Sequence, residues 1–531
     1  MRLSTLPHRP VLAGFTALMA VFVAWAVWAV GVHFYYSFSE ISALSLAFGM
    51  NIDQWLGERI WRGRYHLFNN YAYPGVPLQL ASWAIYRLMD GLRFSSAVDL
   101  ASRTLADPQP WFVATRMACL AMASGAMALL LRQARALPWQ AAAAAGLAWL
   151  AYQPFWRWGL LYLDNPSFAP LMAVVFFAVA VRAMNGRGFV LLGFMGAAGY
   201  SISLQYMSWL GGAGIGVLVA AWLGRWGWRR TATSVGLTVL GFAAGMELMA
   251  LILEGGRLTH KQLGNMLRFH FSLFGSVAGN EQPSGVGSAE FSVASAFTPA
   301  VGVYGAMAAL LAGWLGAVAW RRDKDPQWTA GAVMLIVVYV FGALAYVKFP
   351  SDKYLVSSAA FLPFGLLWLA RAGHGRAVGR LVVPLALAAT VSGASEMRQE
   401  LARKDAEIAT RADRDRVLAL PLAPGEKRLW LYRVPVPEYT ARLVLQWSGV
   451  PEWDTRIGDA LMPDDAEFNV WRNLVRVRGS WYALDALPWR YAVASGKTRT
   501  IESVGALAPF AGRARVLEHY GTLTVLSPGG R

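Results

Sequence analysis

The chain has 531 residues, 56% of them hydrophobic, with 24 Trp, 26 Phe and a net charge of +17. This composition excludes a disordered protein, and the single cysteine, Cys119, excludes an internal disulfide and a Cys-based zinc site. A net charge of this size fits a nucleic-acid binder only if the cations form one patch, and here they are spread between apolar runs.

Those runs fill 11–32 and most of 112–393. Short basic links separate them: Arg2/Arg9, Arg132/Arg135, Arg182/Arg187, Arg225/Arg229/Arg230, Arg321/Arg322/Lys324 and Arg371/Arg376/Arg380. Short loops rich in Lys and Arg stay on the cytoplasmic side, so all six belong on one face, with an even number of spans between neighbours. Stretch 188–224 therefore divides into two short spans, each residue adding roughly 1.5 Å. The pattern predicts a polytopic α-helical membrane protein of about eleven spans, N-terminus inside and C-terminus outside. The spans fall near 11–32, 112–131, 139–156, 166–181, 188–204, 207–224, 232–252, 300–320, 328–347, 354–370 and 381–393. The apolar stretch of 11–32 exceeds a typical signal-peptide core, so it is expected as an uncleaved first span. The links hold 15 Lys/Arg against only Asp323 and Asp325, so most of the excess charge is topological. Anionic lipid headgroups are its expected partner, and nucleic acid is not.

Three outer segments remain: 33–111, 254–299 and 394–531. Within the first, 76–93 contains Arg87 and Asp90; counting it as a span would invert the charge rule, so an amphipathic helix on the outer surface is expected. The transmembrane domain is 1–393. Residues 394–531 begin with a polar helical stretch, and strand-like runs follow at Arg428–Tyr432, Arg490–Ala494, Ala514–Glu518 and Thr522–Ser527. A small extracytoplasmic α/β domain is expected there. It has no glycine-rich phosphate loop.

The first outer loop carries the carboxylates Glu40, Asp53 and Glu58. A carboxylate just outside a span can act as a base toward a hydroxyl, although any one of them is also a plausible solvated acid. On a helix Asp53 and Glu58 would point about 140° apart, so they are not a ready-made pair. Tyr65, Phe68, Tyr71 and Tyr73 lead into Tyr73-Pro74-Gly75-Val76-Pro77; such rings stack on sugars and also form interfacial belts. At the end of the third span, Tyr162-Leu163-Asp164-Asn165-Pro166 reads as a helix cap. Arg116 and Arg157 lie at matching depth, placed to neutralise a phosphate or pair with an acid. Glu247, inside the seventh span, is either functional or paired with a neighbouring span. In 254–299, a helix over 257–274 would bring Arg257, Lys261 and Arg268 within about 40° of one another, a cationic stripe at headgroup depth. That stripe serves equally as an interfacial helix or a phosphate site, and Lys348 and Lys353 add cations at the same face.

Taken together, these features resemble the GT-C glycosyltransferases, in particular the protein O-mannosyltransferase and aminoarabinose transferase type. The resemblance rests on a first span followed by a long loop with Asp53 and the Pro-Gly-x-Pro stretch. It also rests on Ala114-Thr115-Arg116-Met117 opening a small-residue span, on Asp164 after the third span, on Lys353-Tyr354-Leu355 at a late span, and on the closing domain. One position departs from the family pattern: many members carry Asp-Glu in the first loop, whereas this chain has Asp53-Gln54, leaving Glu58 or Glu40 as stand-ins for the second acid.

The resemblance implies an enzyme of the inner membrane. It would transfer a sugar from a polyprenyl-phosphate carrier to a hydroxyl acceptor on the outer side, inverting the anomeric centre. It implies Asp53, Asp164 and Glu58 as the catalytic acids. Arg257, Lys261, Arg268, Lys348, Lys353, Arg116 and Arg157 would face the donor phosphate, with Tyr65, Tyr71 and Tyr73 against sugar or acceptor. No His/Cys cluster demands a metal, although some members of the family use a divalent ion. A glycan ligase or polymerase, a lipid-linked-sugar flippase and a non-catalytic scaffold are the other readings. A ligase would tolerate Asp53→Ala, and a flippase would carry internal repeats and charges through the bundle.

Overall fold

The computed structural model describes residues 20, 23–24, 76–91, 103, 109–134, 137–151, 156, 165–254, 298–321, 325–348, 352–407, 411–431, 463–469, 473–477, 480–495, 510 and 512–529. Apolar runs bounded by basic turns become helices: α1 Val76–Met89, α2 Gln109–Ala134, α3 Trp139–Ala151, α4 Ala169–Met184, α5 Phe189–Ile202, α6 Met207–Leu223, α7 Trp228–Glu254, α8 Pro299–Arg321 and α9 Pro326–Lys348. Next comes a broken segment, with a 3-10 turn Asp352–Leu355, α10 Val356–Ala359, α11 Leu362–Leu369 and a π turn Ala370–His374. It is followed by α12 Gly375–Glu407 and α13 Arg411–Leu418.

Helices long and apolar enough to cross a membrane occur five times among the described residues, and α4, α5 and α6 are shorter apolar helices. The chain is a polytopic helical membrane protein. The span expected at 11–32 lies outside the described residues apart from positions 20, 23 and 24, where Val23 packs on the core. Short turns fold consecutive helices back on one another. The described basic links thereby gather at one end of the bundle, and the starts of α2, α4 and α8 lie at the other.

Glycines set how closely the helices pack. On α5, Gly193 and Ala197 face Gly241 and Gly245 of α7. A Cβ on Gly193 would fall on the Thr238 carbonyl, one on Gly241 would fall on the Val190 carbonyl, and one on Gly245 would meet Ala197. On α6, Gly212 and Gly216 lie against the Met334 and Ala330 carbonyls of α9. Both seams place small residues four apart, the spacing that lets backbones approach in a solvent offering no hydrophobic drive between helices.

The core centres on the broken segment, where positions 355–359 and 361–370 are buried. A break inside a bilayer frees backbone groups that water cannot satisfy. Here the Phe361 N–H bonds to the Ser358 carbonyl at 3.0 Å instead of continuing the helical ladder to Ser357. The Ser357 carbonyl accepts the Trp209 indole N–H from α6 at 3.0 Å. Tyr339 donates to the Phe361 carbonyl at 2.9 Å, and Ser358 donates to the Leu355 carbonyl at 3.0 Å. Trp328 and Trp368 exchange indole N–H donations to each other's carbonyls, at 3.2 and 2.9 Å. Rings of Phe176, Phe177, Trp209, Phe361 and Phe364 pack around these bonds.

The 33-residue α12 is roughly 50 Å long. It contains the expected 393/394 boundary and carries the chain out of the bundle. A seven-stranded sheet follows: β1 Lys427–Leu431, β2 Asp465–Asn469, β3 Leu474–Val477, β4 Ser480–Ala483, β5 Trp489–Ser495, β6 Ala514–Tyr520 and β7 Leu523–Pro528, in the order β4-β3-β2-β1-β5-β7-β6. Central β1 runs parallel to β2 and β5, and the outer pairs are antiparallel. Strands β1, β5, β6 and β7 match the sequence expectation, and β2, β3 and β4 were not anticipated. Asp465 on β2 accepts from Arg428 at 3.0 Å and from the Trp430 indole at 2.6 Å. Arg428 also donates to the Leu418 carbonyl at 3.1 Å, so this buried pair ties the sheet to the end of α13.

Two substitutions test the account. Trp209→Phe leaves the Ser357 carbonyl buried without its donor and should cost about 1–2 kcal/mol in detergent unfolding, whereas Trp222→Phe at a 77% exposed position should cost little. Gly241→Leu forces α5 and α7 apart and should cost about 1–3 kcal/mol or more, whereas Gly236→Leu, with open space around it, should be tolerated.

Candidate functional site

A polar cluster forms at the end of the bundle opposite the basic turns, where α1 packs against the start of α2, the end of α5 and a 3-10 turn Asn165–Phe168. Helix α1 was expected as an amphipathic helix on the outer surface. In the structure Tyr86, Arg87 and Asp90 are buried at 0, 3 and 4% exposure, while Leu88 and Met89 face outward. The ionisable side chains of α1 thus turn toward protein partners.

The Asp90 carboxylate is the centre of this cluster. Arg103 reaches it at 2.8 Å and Arg87, one turn back on α1, at 3.8 Å. Arg103 is 41% exposed and Arg87 is buried. The Tyr86 ring meets Trp111 of α2 edge-on, with centroids 5.7 Å apart. One turn further along α2, Thr115 and Arg116 are both fully buried, Thr115 donating to the Trp111 carbonyl at 3.2 Å. Ser167, in the 3-10 turn, is 1% exposed. Arg116 is among the largest fully buried side chains described, and it is engaged by its surroundings. Its guanidinium places a buried positive charge at this position. Fixed cations here suit a carboxylate or a phosphate.

Of the residues singled out in the sequence, Arg116 is described in full and is buried. Lys348 closes α9 and Lys353 lies in the 3-10 turn opening the broken segment. By chain direction both are at the same end of the bundle as Arg116. Asp53, Glu58, Glu40, Asp164, Arg157, Arg257, Lys261, Arg268, Tyr65, Tyr71 and Tyr73 lie outside the described residues. Asn165 and Pro166 open a 3-10 turn, and α4 begins only at Ala169, with no side-chain cap at Phe168. Glu247 is exposed on α7, away from the bundle core. No group of three or more His, Cys, Asp or Glu able to hold a metal occurs among the described residues.

The inward pair Arg87–Asp90 was not singled out as a site. Its signal was available: two opposite charges three apart on an otherwise apolar helix pair on one face, and next to a bilayer that face turns inward.

No protein-family model matches the chain, and no curated protein matches it. Solved structures do. The crystal structure of ArnT from Cupriavidus metallidurans bound to undecaprenyl phosphate aligns with 98% of this chain and 99% of its own, at 16% identity and a TM-score of 0.51. The apo structure of the same protein aligns with 98% of this chain and 100% of its own, at 17% identity and a TM-score of 0.42. The first shows that the chain shares that protein's fold along nearly its whole length.

Asp90→Asn keeps the shape of the carboxylate but leaves Arg87 facing a neutral group. Removing one member of a buried pair costs about 3–5 kcal/mol, and the partial exposure of Arg103 puts the expected loss near the lower end. A thermal unfolding temperature unchanged from the parent would show that this pair does not hold α1 in place.

Proposed function

We propose that the chain is an integral-membrane glycosyltransferase that moves a sugar from a polyprenyl-phosphate donor to a hydroxyl on a glycan, lipid or protein at the outer face. The observation that carries this reading is the whole-length agreement in fold with a protein crystallised with undecaprenyl phosphate. The cluster around the buried Arg116 supports it, because fixed positive charge lies at the end of the bundle from which the long loops depart. The topology that accompanies the reading has about eleven spans, with the basic turns inside and 394–531 outside the inner membrane.

The chemistry follows from the groups available. Asp53 takes the proton of the acceptor hydroxyl, whose oxygen attacks the anomeric carbon. The bond from that carbon to the phosphate oxygen breaks, the electron pair leaves with the polyprenyl phosphate, and the anomeric centre inverts. Glu58 and Asp164 are the acids that would hold the acceptor and sugar in line. Arg257, Lys261 and Arg268, with Lys348, Lys353, Arg116 and Arg157, offset the charge growing on the leaving phosphate. Tyr65, Tyr71 and Tyr73 offer ring faces to the sugar. The donor's tail stays in the bilayer throughout, which suits a chain whose tail carries no nucleotide-binding loop.

Asp53→Asn retains shape and removes basicity. Transfer from a polyprenyl-phosphate sugar by the purified protein should fall about 10²–10⁴-fold while expression and membrane insertion stay normal. Transfer at the parent rate would remove Asp53 from the base role and move attention to Glu40 or Glu58.

A further inference from the structure

Five arginines gather at the basic end of the bundle, on turns with no acidic residue near them in sequence. Arg182 and Arg187 flank the turn between α4 and α5; Arg225, Arg229 and Arg230 flank the turn between α6 and α7. All five are exposed, and residues 165–246 contain no Asp or Glu. The glycine seam between α5 and α7 brings the two turns together. Phe189 meets the Trp226 ring at 6.3 Å, and the Arg230 guanidinium lies over that ring at 4.2 Å. The same guanidinium occupies the space that a Cβ on Gly186 would fill, so the two basic turns form one surface.

The backbone at Arg225 gives an independent indication. The α6 helix closes with the Trp226 N–H bonded to the Ala221 carbonyl and the Arg225 N–H to the Trp222 carbonyl, a C-terminal motif that places one residue in the left-handed region, ordinarily glycine. Here that residue is Arg225, at φ 51°, although Gly224 and Gly227 stand on either side. The corresponding position between α4 and α5 is Gly186, at φ 80°. A side chain in this conformation is strained, and strain of this kind is retained where the residue serves another purpose. At Arg225 the side chain contributes a cation.

Below the arginines the surface is apolar. Val190 and Leu191 on α5 and Val235, Val239 and Leu240 on α7 are exposed. Trp222 and Trp228 stand beside the arginines at 77 and 76% exposure, the position of indole rings at a headgroup boundary. Cations above an aliphatic track complement a phospholipid. Two sets of arginines, one per turn, match two phosphates.

We propose that the fork between the two turns is a discrete site for a phospholipid whose headgroup carries two phosphates, with its acyl chains lying along α5 and α7. Basic pockets between helices on the cytoplasmic side suit such headgroups. The site is separate from the polar cluster at the other end and does not depend on the transfer chemistry.

The test uses the purified full chain in neutral detergent and reads lipid retention by native mass spectrometry together with the unfolding temperature. Tetraoleoyl cardiolipin should stay bound one to one and raise the unfolding temperature. Dioleoyl phosphatidylglycerol at equal phosphate should do so less, and inorganic pyrophosphate should not. Arg225→Gly relieves the backbone, so it should unfold at a higher temperature than the parent without lipid, yet hold cardiolipin about tenfold more weakly, as for the loss of one charge-assisted contact. Arg187→Gln, at an exposed turn, should weaken retention without altering lipid-free stability. Phosphatidylglycerol matching cardiolipin would reduce the fork to a general headgroup belt. Pyrophosphate giving the same shift would make it a site for soluble phosphate, and full retention by both variants would place the lipid elsewhere. Each of these three results would overturn the proposal.

Discussion

The constraint behind this fold is that no backbone carbonyl can be left bare where water is absent. The broken segment 352–374 violates helical bonding in the middle of the bundle, and side chains of neighbouring helices repair it: Trp209 at Ser357, Tyr339 at Phe361 and Trp328 at Trp368. Each repair needs its donor at a fixed distance, which fixes where α6 and α9 sit. The glycine seams work to the same end. With Gly212 and Gly216 of α6 against the carbonyls of α9, the two donor-bearing helices lie close enough for both to reach the break. Packing and hydrogen bonding therefore specify one arrangement jointly.

From that arrangement follows the contrast between the two ends. The basic turns gather at one, and from the other depart the loops that carry the candidate carboxylates and cations. Helix α1 carries Asp90, paired with Arg87 and Arg103, and the buried Arg116 puts a further cation on α2 at this end. In the tail, a buried pair of the same chemical type has a different task. Arg428 and Asp465 lie at 3.0 Å with the Trp430 indole as third partner, linking β1, β2 and the end of α13. The chemistry of a buried pair does not by itself distinguish a site from a fastening; its place in the fold does.

The bundle helices were legible because they are apolar runs with basic residues at one end, a signal that needs no knowledge of neighbours. The break at 360–361 was not read, although Pro363 lacks the N–H that would reach the Ala359 carbonyl, because the run 354–370 carries no charge and is mostly apolar. Strand β2, with the sequence Asp-Ala-Glu-Phe-Asn, carries no strand signal of its own. It is a strand because β1, distant in sequence, pairs with it in parallel. Helix α1 was recognised as a helix, but which of its faces would be buried was not read. Arg116 was singled out from its depth in a span; Arg87 and Asp90 were passed over because a charged pair near a membrane reads as solvated until the packing is known.

The central claim is that this fold holds a polyprenyl phosphate at the end opposite the basic turns. Native mass spectrometry of the purified full chain titrated with undecaprenyl phosphate tests it most directly. The account predicts saturable one-to-one retention, competed away by the sugar-charged carrier and unaffected by Arg187→Gln or Arg225→Gly at the other end. Retention that never saturates, or that disappears with those two arginines, would contradict it.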